Sequence, residues 1–145
     1  MNLQIGLSKV QPGSLIGKMI DESSGGGGFC HAFLYIPDLW CCYEAHAKFG
    51  VRFNARNVGS DEVLLDIPGL TDEKALNILR ECVRHDGKDY DFRGIFAFKT
   101  PLIKHSVNDF FCSELLITVL QAAGYYTGIN PSAITPNAIA KMKIE

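Results

Sequence analysis

Phe29-Cys30-His31-Ala32-Phe33-Leu34-Tyr35-Ile36-Pro37-Asp38-Leu39-Trp40-Cys41-Cys42-Tyr43-Glu44-Ala45-His46 carries most of the information about architecture in this chain. Phe29–Ile36 is dense in aromatic and aliphatic residues, the composition of a strand. Ile36-Pro37-Asp38-Leu39 reads as a type I turn in which Pro37 supplies a preset φ, and Trp40–Ala47 returns as a second strand. Successive strand side chains point to opposite faces. Cys30, Ala32, Leu34 and Ile36 therefore make an apolar face suited to a core, while Phe29, His31, Phe33 and Tyr35 put His31 on an aromatic one. A four-residue loop pairs Tyr35 with Trp40, which sets Glu44 directly across from His31 and makes His46 the diagonal neighbour. A slip of one residue would substitute Tyr43 or Ala45 for Glu44.

Outward from this hairpin, the first half continues as β. Ser14–Met19 follows a Pro-Gly turn and reads as a strand, as do Val51–Ala55 and Glu62–Ile67. Ser23-Ser24-Gly25-Gly26-Gly27-Gly28 is a flexible loop; no lysine or helix start follows it, so a phosphate cradle is disfavoured. The second half reads as α. Thr71 caps a helix with Asp72 and Glu73 in its first turn and Leu70 placed as a staple. Ala75, Leu76, Leu79, Cys82 and Val83 form its buried stripe, and it ends before Gly87. A second helix runs from about Asp109 to Ala123, with Asn108 or Asp109 as cap and Gly124 as stop. Its apolar residues are too many for one stripe, so it is expected to be central and buried. Pro131 to Met142 holds one short helix starting near Pro136. Strands first and helices after, in one domain spanning 1–145, give an α+β fold with an antiparallel sheet.

Composition narrows the function classes. Hydrophobic residues make up 47% of the chain and charged residues 21%, as in an ordinary globular domain. The net charge of −2 and the lack of a Lys/Arg cluster argue against a nucleic-acid partner. Met1-Asn2-Leu3-Gln4-Ile5-Gly6 has no basic region followed by an apolar stretch, and no apolar run reaches membrane-spanning length. Five cysteines, odd in number and irregularly spaced, point to free thiols in a reducing, cytoplasmic compartment. No cofactor is implied.

Cys112 falls in the first turn of the central helix, where partial positive charge and unpaired N–H groups favour a thiolate and can stabilise an oxyanion. A buried helical cysteine such as Cys82 is the commoner case, and position is what separates Cys112 from it. A thiol nucleophile needs a base. His85 closes a surface helix and His105 lies in a polar loop beside Lys104, whereas His31 stands in a strand with Glu44 on the same face. A carboxylate beside an imidazole fixes its tautomer and raises its basicity.

These segments resemble a family. Ser8-Lys9-Val10-Gln11-Pro12-Gly13-Ser14-Leu15-Ile16 resembles the opening Pro-Gly-Asp-x-Ile strand of circularly permuted NlpC-type (YiiX-like) proteins. Cys30-His31-Ala32-Phe33-Leu34 resembles their histidine strand, and Tyr43-Glu44-Ala45 with Gly50-Val51 their Glu-Ala…Gly-Val hairpin. Gly87-Lys88-Asp89-Tyr90-Asp91-Phe92 resembles their Gly-x-x-Tyr-Asp segment, and Phe111-Cys112-Ser113-Glu114-Leu115-Leu116 their nucleophile helix. Together they cover roughly the whole chain. Ser14 departs from the pattern, which often has aspartate there. The resemblance implies a circularly permuted papain-like fold: antiparallel, barrel-like strands in the first half packed on helices in the second. It further implies a thiol hydrolase acting on a peptide or acyl-amide substrate, with Cys112 as nucleophile, His31 as base and Glu44 as orienting group. Tyr90 would border the nucleophile as a hydrogen-bond donor. The related lecithin-retinol acyltransferase group has a histidine as third residue, which keeps His46 as an alternative to Glu44. Glu114 reads more simply as a first-turn acid favoured by the helix dipole.

Three rivals stand beside this reading. A zinc module could draw on Cys30, His31, Cys41, Cys42 and His46, but adjacent strand residues face opposite sides and cannot all converge. A lipid acyltransferase or thioesterase would use the same residues with Phe96, Phe98, Leu102 and Ile103 as an apolar patch. A catalytically idle binding module would keep the fold alone. Substrate, hydrolysis against acyl transfer, and oligomeric state are left open by the sequence.

Overall fold

The computed structural model describes residues 1–23, 26–91 and 111–142. Five strands, β1 (Gln4–Lys9), β2 (Phe29–Ile36), β3 (Cys41–His46), β4 (Gly50–Ala55) and β5 (Glu62–Asp66), form one antiparallel sheet in the order β4-β3-β2-β1-β5. Four α-helices accompany it among the described residues: α1 (Leu15–Ser23), α2 (Asp72–His85), α3 (Cys112–Gln121) and α4 (Pro136–Lys141). The fold is α+β, with an open strand order rather than a closed barrel among the described residues.

The start of the chain corrects the reading of Ser14–Met19 as a strand. That stretch begins α1, because the Ser14 hydroxyl accepts the amide of Gly17 at 3.0 Å and caps the helix after the Pro12-Gly13 turn. The strand lies earlier, in the alternating run Leu3-Gln4-Ile5-Gly6-Leu7-Ser8, and β1 sits between β2 and β5. Gly6 pairs with Phe33, and a Cβ at Gly6 would come within 2.1 Å of the Phe33 ring, so that ring packs flat only over a glycine.

Leu3, Ile5, Leu7, Ala32, Leu34, Ile36, Tyr43, Ala45 and Val51 belong to the core, together with Ala75, Ile78 and Cys82 of α2 and most of α3. The Tyr43 hydroxyl donates to the Cys82 carbonyl at 2.8 Å, fixing α2 against β3. The Thr71 cap is present, its hydroxyl accepting from Lys74 N. The buried stripe of α2 differs from expectation: Ala75, Ile78, Cys82 and His85 face inward, while Leu76 and Val83 are 46% and 67% exposed. In α3, eight of ten residues are buried, which accords with a central helix. It ends at Gln121, and Gly124 follows with φ +84°. α3 begins at Cys112 behind an extended Phe111 N-cap, and not near Asp109 as expected. Asn108 and Asp109 themselves, the loop residue His105 and the apolar residues Phe96, Phe98, Leu102 and Ile103 lie outside the described residues.

The β2–β3 hairpin keeps its four-residue loop but slides it by one position. A 3₁₀ turn, Pro37–Leu39, is closed by Trp40 in the left-handed region at φ 49°, so Ile36 pairs with Cys41 and Tyr35 with Cys42. Burial of Ile36 favours this: the strand runs one residue further before turning. Moving the loop by one shifts the pairing by two, so every side chain stays on its expected face. The two strands pair from Leu34–Tyr43 to Ile36–Cys41; a continuation of that register would set His46 opposite His31 and Glu44 on the diagonal.

Candidate active site

Glu44 meets His31 despite the diagonal placement. His31 Nε2 donates to Glu44 Oε2 at 2.8 Å. The other carboxylate oxygen, Oε1, accepts from Asn54 Nδ2 at 3.0 Å and Arg52 Nη2 at 3.3 Å. Both donors come from β4, whose pairing places Arg52 opposite Glu44. Neither appears among the expected site residues. Their signal was available: a tight hairpin through Lys48-Phe49-Gly50 sets alternate residues of Val51–Ala55 on the Glu44 face.

Burial of Glu44 works against its charge, yet the hydrogen bond and charge of His31, with Asn54 and then Arg56, bring its carboxyl down to about 2. Burial likewise works against an imidazolium at His31. Hydrogen bonds with Cys112 and Glu44 outweigh it and push His31 up to about 9. Cys112 is thus within hydrogen-bonding reach of His31. With Nε2 held by Glu44, Nδ1 is the nitrogen left for the thiol.

His46 takes a different part. Its Nδ1 accepts the amide of Lys48 at 3.1 Å, its ring lies 5.1 Å from that of Phe49, and burial is the first of the influences that lower its pKa. Among the described residues the recorded partner of the His31 ring opposite the thiol is Glu44, not His46.

Phe111 forms the N-cap of α3 in extended conformation, and Cys112 is its first helical residue. The next two residues lock this end in place. Ser113 Oγ donates to the Ile134 carbonyl at 2.6 Å, tying the helix start to the tail. Glu114 reaches back to the Phe111 amide, as the acid of a capping box does. It is nonetheless buried, and burial followed by the charge of Asp91 pushes its carboxyl up to about 7. Its Oε2 has no hydrogen-bond partner. A dipole-favoured surface acid is therefore an incomplete description: desolvation outweighs the helix end.

The sign of the effect on stability follows. In the unfolded chain Glu114 ionises near 4.5, and in the fold only near 7, so stability falls as pH rises through that window. Glu114→Gln keeps the shape without the charge. It should stabilise the protein at pH 8 by about 1–3 kcal/mol and change little at pH 4, as thermal melts at the two pH values will read. Equal shifts at both would contradict the burial of an ionised carboxylate.

Tyr90 is brought in by β4. Val51 N donates to the Lys88 carbonyl at 2.7 Å and Gly87 N to the Val51 carbonyl at 2.9 Å, strapping this segment along the strand. Gly50, at φ +72°, permits the approach, since a Cβ there would lie 2.5 Å from the Lys88 carbonyl oxygen. Burial, then the neighbouring Cys112 and Asp91, raise the Tyr90 phenol well above its usual value, so it stays an O–H donor at working pH.

A cleft of about 560 Å³ opens over this assembly, lined by Cys30, His31, Glu44, His46, Arg52 and Tyr90 among others. Cys112 and Glu44 are only 2% and 3% exposed. Cys112 is near enough to the cleft residues Cys30 and Tyr90 to influence the ionisation of both. The other thiols are held protonated mainly by burial, Cys30 pushed up to about 11 and Cys42 to about 12, with Cys41 and Cys82 also raised. Among the described residues no three His, Cys, Asp or Glu side chains converge as metal ligands. No helix among them is long and apolar enough to cross a membrane. No model of a known protein family matches this chain, and no curated protein matches it in sequence.

Proposed function

We propose that this protein is a cysteine hydrolase of the circularly permuted papain-like, NlpC type, cleaving an amide bond in a peptide or acyl-amide through Cys112, His31 and Glu44, and working in the cytoplasm. The observation that carries the reading is one imidazole held between a carboxylate and a helix N-terminal thiol.

The chemistry follows from that arrangement. Cys112 Sγ attacks the carbonyl carbon as a thiolate with the His31 imidazolium as counter-ion, and the carbonyl π electrons move onto oxygen. The first-turn backbone N–H groups of α3 beyond the Phe111 amide, which no carbonyl of the helix itself can accept, are the donors for that oxyanion. As the C–N bond breaks, its electron pair leaves on nitrogen and takes the proton from His31, giving a free amine and a thioester on Cys112. Water then attacks the thioester while His31 accepts its proton, and the acid is released with the thiolate–imidazolium pair restored. Glu44 keeps the imidazole in one orientation and stabilises its charged form, and the Tyr90 hydroxyl lies at the same wall as a donor.

The test is to trap the intermediate. A small activated acyl donor, 4-nitrophenyl acetate, should add one acetyl group to the native protein, mapped to Cys112 by peptide mass spectrometry. Cys112→Ala should stay unlabelled under the same exposure. Labelling at another cysteine, or none at Cys112, would overturn the assignment.

A further inference from the structure

The β3–β4 turn adds a feature that the catalytic residues do not use. Phe49, 55% exposed, has the Arg52 guanidinium carbon 4.2 Å from its ring centre and the Lys48 ammonium 5.3 Å away, with the His46 ring beside it. Positive charge here exceeds negative. The carboxylate nearest Arg52 is Glu44, which His31 holds more closely, at 2.8 Å against 3.3 Å. Arg52 Nε is buried with no hydrogen-bond partner. Among the described residues no carboxylate pairs with the Lys48 ammonium, and Lys48 is exposed. Elsewhere in the cleft Arg56 is already neutralised by Glu62, through two contacts of 2.8 Å.

Nε is sealed in, but the Arg52 side chain is 30% exposed and lines the cleft, so the outer guanidinium nitrogens are the ones open to a ligand, and their donors match the plane of a carboxylate. From these observations we infer that Lys48, Phe49 and Arg52 form a subsite for a substrate carboxylate. The molecule cleaved is thus an acyl amide or peptide that bears a free acid group a few bonds from the scissile carbonyl. Lys48 supplies a point charge, Arg52 planar donors, and Phe49 an apolar platform for the intervening carbons. The subsite borders the reacting centre through the Arg52–Glu44 contact. The inference rests on the amide-hydrolase reading, since it specifies the substrate of that same site.

The experiment separates the two. Glutaryl-4-nitroanilide, which carries a carboxylate, and its neutral primary-amide counterpart are titrated into the wild-type protein, Lys48→Gln and Arg52→Gln, with binding followed by NMR. Release of 4-nitroaniline is followed in parallel. The acid should bind wild type about tenfold more tightly than the amide at low salt, and the preference should shrink with added salt. It should fall to about threefold or less in Lys48→Gln, whose side chain is exposed, and further in Arg52→Gln. Equal affinities for the two probes, or a preference unchanged in Lys48→Gln, would overturn the subsite. A carboxylate preference in binding without any release of nitroaniline would leave the subsite in place and count against the hydrolase.

Discussion

Replacing Cys112 by alanine, or His31 by alanine, should each lower kcat on any amide substrate by a factor on the order of 10⁴–10⁶, and the double variant should be scarcely worse than either alone. In the proposed mechanism the thiolate and its imidazolium partner work as one unit, so the second loss finds little left to remove. Independent contributions would instead multiply, and a double variant slower by the product of the two factors would refute a shared role. His31 lines the cleft and Cys112, its hydrogen-bond partner, is buried. Thermal melts must therefore accompany the kinetics. Cys112→Ala removes one sulfur and is expected to cost about 1 kcal/mol, too little to unfold a domain of this size. Activity lost together with the folded baseline would reduce the residue to a packing role, and full activity in Cys112→Ala would exclude thiol catalysis.

The second large effect is in the pH profile. Loss of the His31 proton removes the acid needed by the leaving amine, so kcat/KM should fall as pH rises through about 9. Glu44 is one of the groups that raise this value, so Glu44→Gln should move the basic limb toward lower pH, by at least about one unit. The glutamine oxygen still accepts from Nε2, which keeps the imidazole oriented, and the loss in kcat should be smaller than for His31→Ala, roughly 10- to 10³-fold. An unmoved basic limb would mean that Glu44 does not act on His31. Both members of the pair stabilise the fold, and their contributions are lost in opposite pH directions. Glu44, depressed to about 2, contributes above its unfolded value of 4.5 and loses that contribution as pH falls through 2. His31 contributes fully below its unfolded value of 6.5 and loses that contribution as pH rises through about 9.

Much of the candidate site was legible from residue patterns alone, and the misreadings have identifiable causes. Ser14 is a good helix cap and also a plausible residue after a Pro-Gly turn; local chemistry permits both, and the cap on Gly17 decides. The alternation Leu3-Gln4-Ile5-Gly6-Leu7-Ser8 announces β1, but its place between β2 and β5 depends on partners about 30 and 60 residues away. On α2, Leu76 and Val83 continue the apolar periodicity of Leu79, yet the side that meets the sheet is the one carrying Ala75, Ile78 and Cys82.

By itself the sequence determined the faces of the hairpin and the starts of α2 and α4. Period-two alternation puts His31 and Glu44 on one side of a hairpin, and any slip by an even number of residues preserves that. That Cys112 falls in the first turn of a helix was likewise legible, although the helix begins at Cys112 itself and not near Asp109. Only the tertiary structure decided which carboxylate oxygen meets which nitrogen, that Glu44 rather than His46 holds the ring, and that Arg52 and Asn54 complete its shell. It also decided the burial of Cys112 and of Glu114. The division has one physical origin. Alternation, capping and turn chemistry act within a few residues, whereas register, desolvation and charge pairing depend on segments that meet only when the whole chain has packed.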